Sequence, residues 1–349
     1  MRRFYAAAAL GFVLLTLAWV AGLAAQLGAP TPTSRWVFEA YQKKDRIAAA
    51  TPAPRILIVA GSSALFGLDS AALSRAWGRP VVNLAVNAGL GLRYILWQAR
   101  QVARAGDSIL LPLEYALYVD DDRPNAQIVD YAIARDRSYW RDLPAWRKAW
   151  FAAALSPDRW WMGLRRLGDP PVAAGLYGGH HIDALGDQTH TSPADRSPQD
   201  AADVAASRVW DYGAQAGSSR GGWPELAAFA RWAGNSRVCL IAVPPSLLSQ
   251  PRYVDDPVER AFYDGLPARV AGLGIPYFGH PRDFMYPADW FFNTDYHLQD
   301  WARREHTRRI LDIQGLKPAC GVNRRDGGGA STIEDPSPSA EIHSITRPR

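Results

Sequence analysis

Ile56-Leu57-Ile58-Val59-Ala60 run without a polar interruption into Gly61-Ser62-Ser63. A strand with one face in water alternates apolar and polar positions, whereas an unbroken apolar run has both faces covered. The stretch therefore predicts a buried strand of a parallel sheet, closed by a glycine turn. Parallel neighbours cannot be joined by hairpins, so helical crossovers must lie between the strands. Further strands are expected at Val81–Val86, Ser108–Leu113 and Val238–Val243, with a short one at Pro276–Phe278. Helices are expected at Ser70–Trp77, capped by Asp69 or Ser70, and at Leu92–Ala105, Pro224–Ala233, Pro257–Leu273 and Gln299–Leu311. The order β-α-β-α-β, an insertion, then α-β-α-β-α predicts an α/β fold with a doubly wound, flavodoxin-like parallel sheet.

The N-terminus adds a second constraint. Arg2 and Arg3 precede an uncharged run from Phe4 to Pro32, long enough for a helix to cross a bilayer. The arginines predict a cytoplasmic N-terminus and an exported, periplasmic remainder. Gly22-Leu23-Ala24 offers the small residues of a signal-peptide cleavage site, but the run exceeds a usual signal core, which favours an uncleaved single-pass anchor. Residues 1–30 are thus read as anchor or signal, 31–54 as a stalk carrying the polar helix Trp36–Ala50, and 55–316 as the main domain. An insertion occupies about 116–222, and the Gly-, Ser- and Pro-rich residues 317–349 are expected to be disordered.

The 349 residues are 48% hydrophobic and include 14 Trp, which bespeaks a folded, sizeable core. A net charge of +5 on scattered Lys and Arg gives no concentrated basic face, so nucleic acid is not expected as a partner. Cys239 lies in an apolar run, the setting of a buried, inert thiol, and Cys320 in a polar tail; a disulfide between them is the alternative, which nothing in the sequence supports. No Cys/His spacing suits a metal, and no metal or cofactor is called for; His180, His181 and His190 read as surface residues. Within the insertion, Ser138–Leu167 reads as helical with Trp140, Trp146, Trp150, Phe151, Trp160 and Trp161. Those aromatics suit a small subdomain packed on the main one, or a face that meets membrane or sugar.

A serine just past a central strand is where a nucleophile would stand in an open α/β sheet. Such a serine needs a base, a group to orient the base, and donors for the oxyanion. His297 precedes the last helix, and Asp295 two positions earlier would share its face in an extended segment. Asn293 could also hold the imidazole, without stabilising its cation, or bind substrate.

The ordered set of Gly61-Ser62-Ser63, Asn87-Ala88-Gly89 and the Asp295/His297 pair resembles the SGNH/GDSL hydrolase superfamily. The resemblance is closest to its membrane-anchored exported branch, which includes DltD-like and alginate O-acetylation-type proteins. It covers about 55–114 and 238–311. It implies Ser63 as nucleophile, with Ser62 as the residue before it, and His297 as base. The Ser63 and Gly89 amides would form the oxyanion hole. Two positions depart from the pattern. Glu114 stands where the family keeps an asparagine, and is read either as a ligand for a substrate hydroxyl or as half of an ion pair. Thr294 stands where the orienting Asp is usual, which leaves Asp295, or Asn293, to serve. The resemblance implies a serine esterase or O-acyltransferase acting on a cell-envelope or exported polysaccharide, with a membrane-bound O-acyltransferase as partner. The alternative is a non-catalytic scaffold of such a complex.

Overall fold

The computed structural model describes residues 1–165, 175–217 and 221–317. The expected disordered tail lies, but for Lys317, outside them. Helix α1 (Arg2–Ala25) is the long apolar run, and it is long and apolar enough to cross a membrane. Helix α2 (Arg35–Ala50) follows, then β1 (Ile56–Ile58), α3 (Ser62–Gly67), α4 (Ser70–Trp77), β2 (Val81–Asn83), α5 (Gly91–Val102) and β3 (Ser108–Leu111). Asp69 caps α4 by accepting the Ala72 amide at 2.8 Å, and Gly78 ends the helix in the left-handed region at φ 61°. The insertion contributes α6 (Tyr115–Tyr118), α7 (Ala126–Ala134), α8 (Arg137–Asp142), α9 (Ala145–Ala154), α10 (Pro157–Arg165), α11 (Pro198–Ala205) and α12 (Tyr212–Ala216). Helix α13 (Gly222–Asn235) and β4 (Cys239–Ala242) restore the alternation. After them come β5 (Leu247–Leu248), α14 (Pro251–Asp255), α15 (Pro257–Ala271), β6 (Met285–Tyr286) and α16 (Asp300–Leu311).

The sheet is parallel, four-stranded and ordered β2-β1-β3-β4. Chain order reverses between β1 and β3, which makes the crevice past their carboxyl ends the topological switch point. The segment at Pro276–Phe278 is not a strand; it touches β4 through a single bridge, Ala242 to Tyr277. A second, two-stranded parallel pair, β5 with β6, had no signal in the sequence because each strand is only two residues long. The helix expected over Ser138–Leu167 is broken into α8, α9 and α10, where Pro144 and Pro157 open new helices. Cys239 is half-buried and disulfide-bonded, so it is not the inert thiol expected.

Two apolar cores hold these elements. One surrounds the sheet, with Ile56, Leu57, Val82, Ile109 and Leu110 all essentially without exposure. The other lies between α2, α5 and the insertion, around Tyr41, Tyr94, Ile128, Tyr131 and Phe151. Residues 31–54 are consequently not a free stalk. Val37, Ala40, Tyr41, Lys44 and Ala48 of α2 are buried. The Lys44 ammonium donates to the carbonyls of Asn83 (2.9 Å), Ala85 (2.5 Å) and Gly186 (2.6 Å), which ties α2 to the end of β2. Burial pulls the Lys44 pKa down to about 7. Just beyond α2, buried Arg55 pairs with buried Asp107 at 3.1 Å.

Candidate functional site

Strand β1 delivers Gly61 and the serine pair to the switch point. Gly61 is the N-cap of α3, and as a glycine it has no side chain to satisfy an amide there. The acceptor comes from the end of β3 instead. Glu114 Oε1 accepts the Ser63 amide at 2.7 Å and Oε2 accepts the Gly61 amide at 2.9 Å. Only glycine fits at position 61, because a Cβ there would run into the Ala88 backbone nitrogen and the Glu114 carboxylate. Glu114 is therefore neither a free ligand for a substrate hydroxyl nor half of an ion pair. It is the cap of the serine turn. Burial raises its pKa, against the lowering effect of those two amide bonds.

The serines divide in an unexpected way. Ser63 is 1% exposed, and its hydroxyl lies 3.5 Å from the Pro112 carbonyl and also interacts with the Glu114 carboxylate. Ser62 is partly exposed. Gly89 has its amide taken by Asn87 Oδ1 at 2.8 Å, an Asx turn, and its carbonyl accepts from Asn125 Nδ2 at 2.9 Å. Both amides expected to form an oxyanion hole are thus already bonded to side chains of the protein.

His297 stands on a tight turn, not on the extended segment expected. Thr294 Oγ1 accepts the amides of both Tyr296 and His297 at 3.2 Å, and Phe291 bridges back to Leu298. The turn brings Asn293 under the imidazole: Asn293 Oδ1 lies 2.8 Å from His297 Nδ1. It turns Asp295 away, where its carboxylate accepts the Trp210 indole N–H at 2.6 Å. The expected Asp295–His297 contact is absent because a two-residue offset shares a face only in extended chain. Asn293 Nδ2 donates to the Tyr177 hydroxyl at 3.0 Å, which fixes the amide with its oxygen toward the ring. His297 Nδ1 therefore carries the hydrogen, and Nε2, the lone-pair nitrogen, has no hydrogen-bond partner among the described residues.

Burial presses the His297 pKa down to about 3, so the ring is neutral at pH 7. The ring stacks on Phe66, with centroids 4.0 Å apart and planes 4° from parallel, and no hydrogen bond joins it to Ser63. Tyr177 and, tilted at 49° against it, Trp36 of α2 complete the surroundings. Sequence reasoning missed Phe66, Tyr177 and Trp36: Phe66 lies on α3 three residues past Ser63, while Tyr177 and Trp36 come from segments without a motif of their own. Clefts of about 500–530 Å³ open elsewhere. The one between α2 and α5, about 530 Å³, is lined by Tyr41, Asp45, Gln98 and Tyr131 and includes neither Ser63 nor His297.

Chemically, the site holds an oriented neutral imidazole, a buried serine and a carboxylate seated on the serine's amide. Searches of family models, of curated proteins and of solved structures find no match to this chain.

Proposed function

We propose that this protein is an exported, membrane-tethered, SGNH-like scaffold that serves a glycan-modifying or acyltransferase assembly in the cell envelope without itself cleaving or forming the ester. One observation carries this reading: the Glu114 carboxylate on the amides of Ser63 and Gly61. An acyl-transfer transition state builds negative charge where the Ser63 amide points, and fixed donors there supply much of the rate. A carboxylate in that position consumes the Ser63 donor and repels the developing charge. The burial of Ser63 and the engagement of the Gly89 amide by Asn87 favour the same reading. The apolar α1 with its flanking arginines supports the tether and a periplasmic body. The order of the serine, Gly89 and His297 blocks supports the link to polysaccharide O-acylation.

A second reading, a serine esterase or O-acyltransferase, is favoured by the Asn293–His297 pair with its unpartnered Nε2. There Ser63 would attack the acyl carbonyl and His297 would take its proton, once Glu114 and Asn87 had left the Ser63 and Gly89 amides.

The deciding experiment treats the full chain in detergent with p-nitrophenyl acetate and with a fluorophosphonate probe. The scaffold reading expects hydrolysis equal in wild type, Ser62→Ala and Ser63→Ala, and no labelled serine. Hydrolysis abolished by either substitution, or a probe adduct on either serine, establishes the enzyme instead.

A further inference from the structure

Six aromatic residues stood out between Ser138 and Leu167, and the structure sorts them. Trp140, Phe151 and Trp160 pack into the second core, while Trp146, Trp150 and Trp161 are exposed at 59%, 37% and 59%. The exposed tryptophans belong to a pattern. On α9, Arg147, Phe151 and Leu155 face inward and are buried, and Ala149 and Ala153 continue the outward face of Trp146 and Trp150. That outward face is apolar along the whole helix. An apolar helix face left in water is costly, and its location says what covers it.

Helices α9 and α10 grip the end of α1. The Trp19 indole of α1 stacks on Trp160, with centroids 5.4 Å apart and planes 5° from parallel, and its N–H donates to the Ala152 carbonyl at 2.8 Å. Trp160 returns a hydrogen bond to the Trp19 carbonyl at 3.1 Å, and Arg159 donates to Gln26 at 2.5 Å. Any Cβ at Gly22 would strike the Trp160 ring, so the contact is close. A hydrocarbon core of about 30 Å takes about 20 helical residues, which from Phe4 reaches Leu23. Trp19 then lies about 6 Å inside that boundary, at 1.5 Å per residue. The end of α9 and the start of α10 are bonded to the span at this depth and cannot stand clear of the bilayer.

We propose that the outward face of α9, together with Trp161 of α10, is an interfacial foot that lies in the leaflet opposite Arg2 and Arg3. Tryptophan at the headgroup boundary and alanine toward the acyl chains suit that depth, and exposed Arg141 and Arg165 can reach lipid phosphates. The foot holds the protein body at a fixed height and tilt on the membrane, which α1 alone would leave free to pivot.

The test uses the full chain in vesicles of phosphatidylcholine and phosphatidylglycerol. Ala149→Cys is labelled with an environment-sensitive NBD dye, with exposed Gln199→Cys of α11 as the control. At position 149 the dye should emit to the blue of the control. Lipids bearing an acyl-chain nitroxide should quench it several-fold more strongly, and aqueous iodide several-fold less. Ala153→Cys, one turn on, repeats the measurement if the first variant misfolds. Chains that float with the vesicles while the dyes at 149 and 153 meet iodide as freely as the dye at 199 overturn the proposal. A chain that does not float overturns it too, by removing the span. Neither result bears on whether the serine site is catalytic.

Discussion

The Glu114 carboxylate accepts the backbone amide of Ser63 at 2.7 Å, across the gap between the ends of β3 and β1. It is 2% exposed and also accepts the Gly61 amide, so one side chain supplies the helix cap that α3 cannot make locally. The same bond fixes the serine turn and fills its anion site with the protein's own charge.

Removing that cap should be expensive. Glu114→Ala leaves two buried amides without an acceptor, each worth about 1–3 kcal/mol, so a loss of about 2–6 kcal/mol is expected. Glu114→Gln keeps one carbonyl acceptor but turns an NH2 toward the other amide, and should fall between wild type and alanine. Urea denaturation of the three proteins checks the order. A Glu114→Ala protein as stable as wild type would mean that the cap does not hold the turn.

Acid should weaken the fold through two buried imidazoles. His297 and His306 both have pKa values pressed down to about 3 by burial. The unfolded chain protonates them near pH 6.5, so between there and about pH 3 the unfolded state binds more protons. Their contribution is complete above pH 6.5 and is lost as pH falls, at about 1.4 kcal/mol per pH unit for each. Asp45, raised to about 6 by burial, acts in the opposite sense below pH 6, so the wild-type slope alone does not isolate them. His297→Gln against wild type does: in urea melts from pH 6 to pH 4 the variant's stability should fall by about 1.4 kcal/mol less per unit.

The orienting residue can be identified without any activity. With Asn293 accepting from Nδ1–H, nitrogen NMR of His297 should show the Nδ1–H tautomer. Asn293→Ala should bring the two tautomers into mixture. Asp295→Ala should leave the imidazole unchanged and shift the Trp210 indole N–H instead, since that is the bond it breaks. A tautomer that responds to Asp295 and not to Asn293 would refute the arrangement.

The Arg55–Asp107 pair pins the start of β1. Both partners are buried, and Asp107 also accepts the amides of Arg55 at 3.1 Å and Arg104 at 2.9 Å. Asp107→Ala strands a buried guanidinium and should cost about 3–5 kcal/mol in a denaturant melt.

Much of the scaffold could be read without coordinates. The runs at Ile56, Val81, Ser108 and Val238 became the parallel sheet, because a strand covered on both faces shows its burial directly in composition. Asp69 was legible as a cap, and α1 as an apolar helix, for equally local reasons. Elements that rely on partners were not legible. The strands β5 and β6 exist only through each other, and α2, which reads as a polar stalk, is held by a lysine whose three carbonyl partners come from two distant segments.

The site divides in the same way. Chain order alone places Gly61, the serine pair, Gly89 and His297 at strand ends or beside the last helix, since order along a parallel sheet fixes those positions. Which groups bond to which follows from packing in three dimensions. A turn built on one threonine hydroxyl gave His297 to Asn293 and sent Asp295 to Trp210. A carboxylate 51 residues from Ser63 in the chain closed the serine's amide. Hydrogen bonds depend on side-chain directions to within a fraction of an ångström, and those are set by packing between segments that carry no information about one another in the sequence.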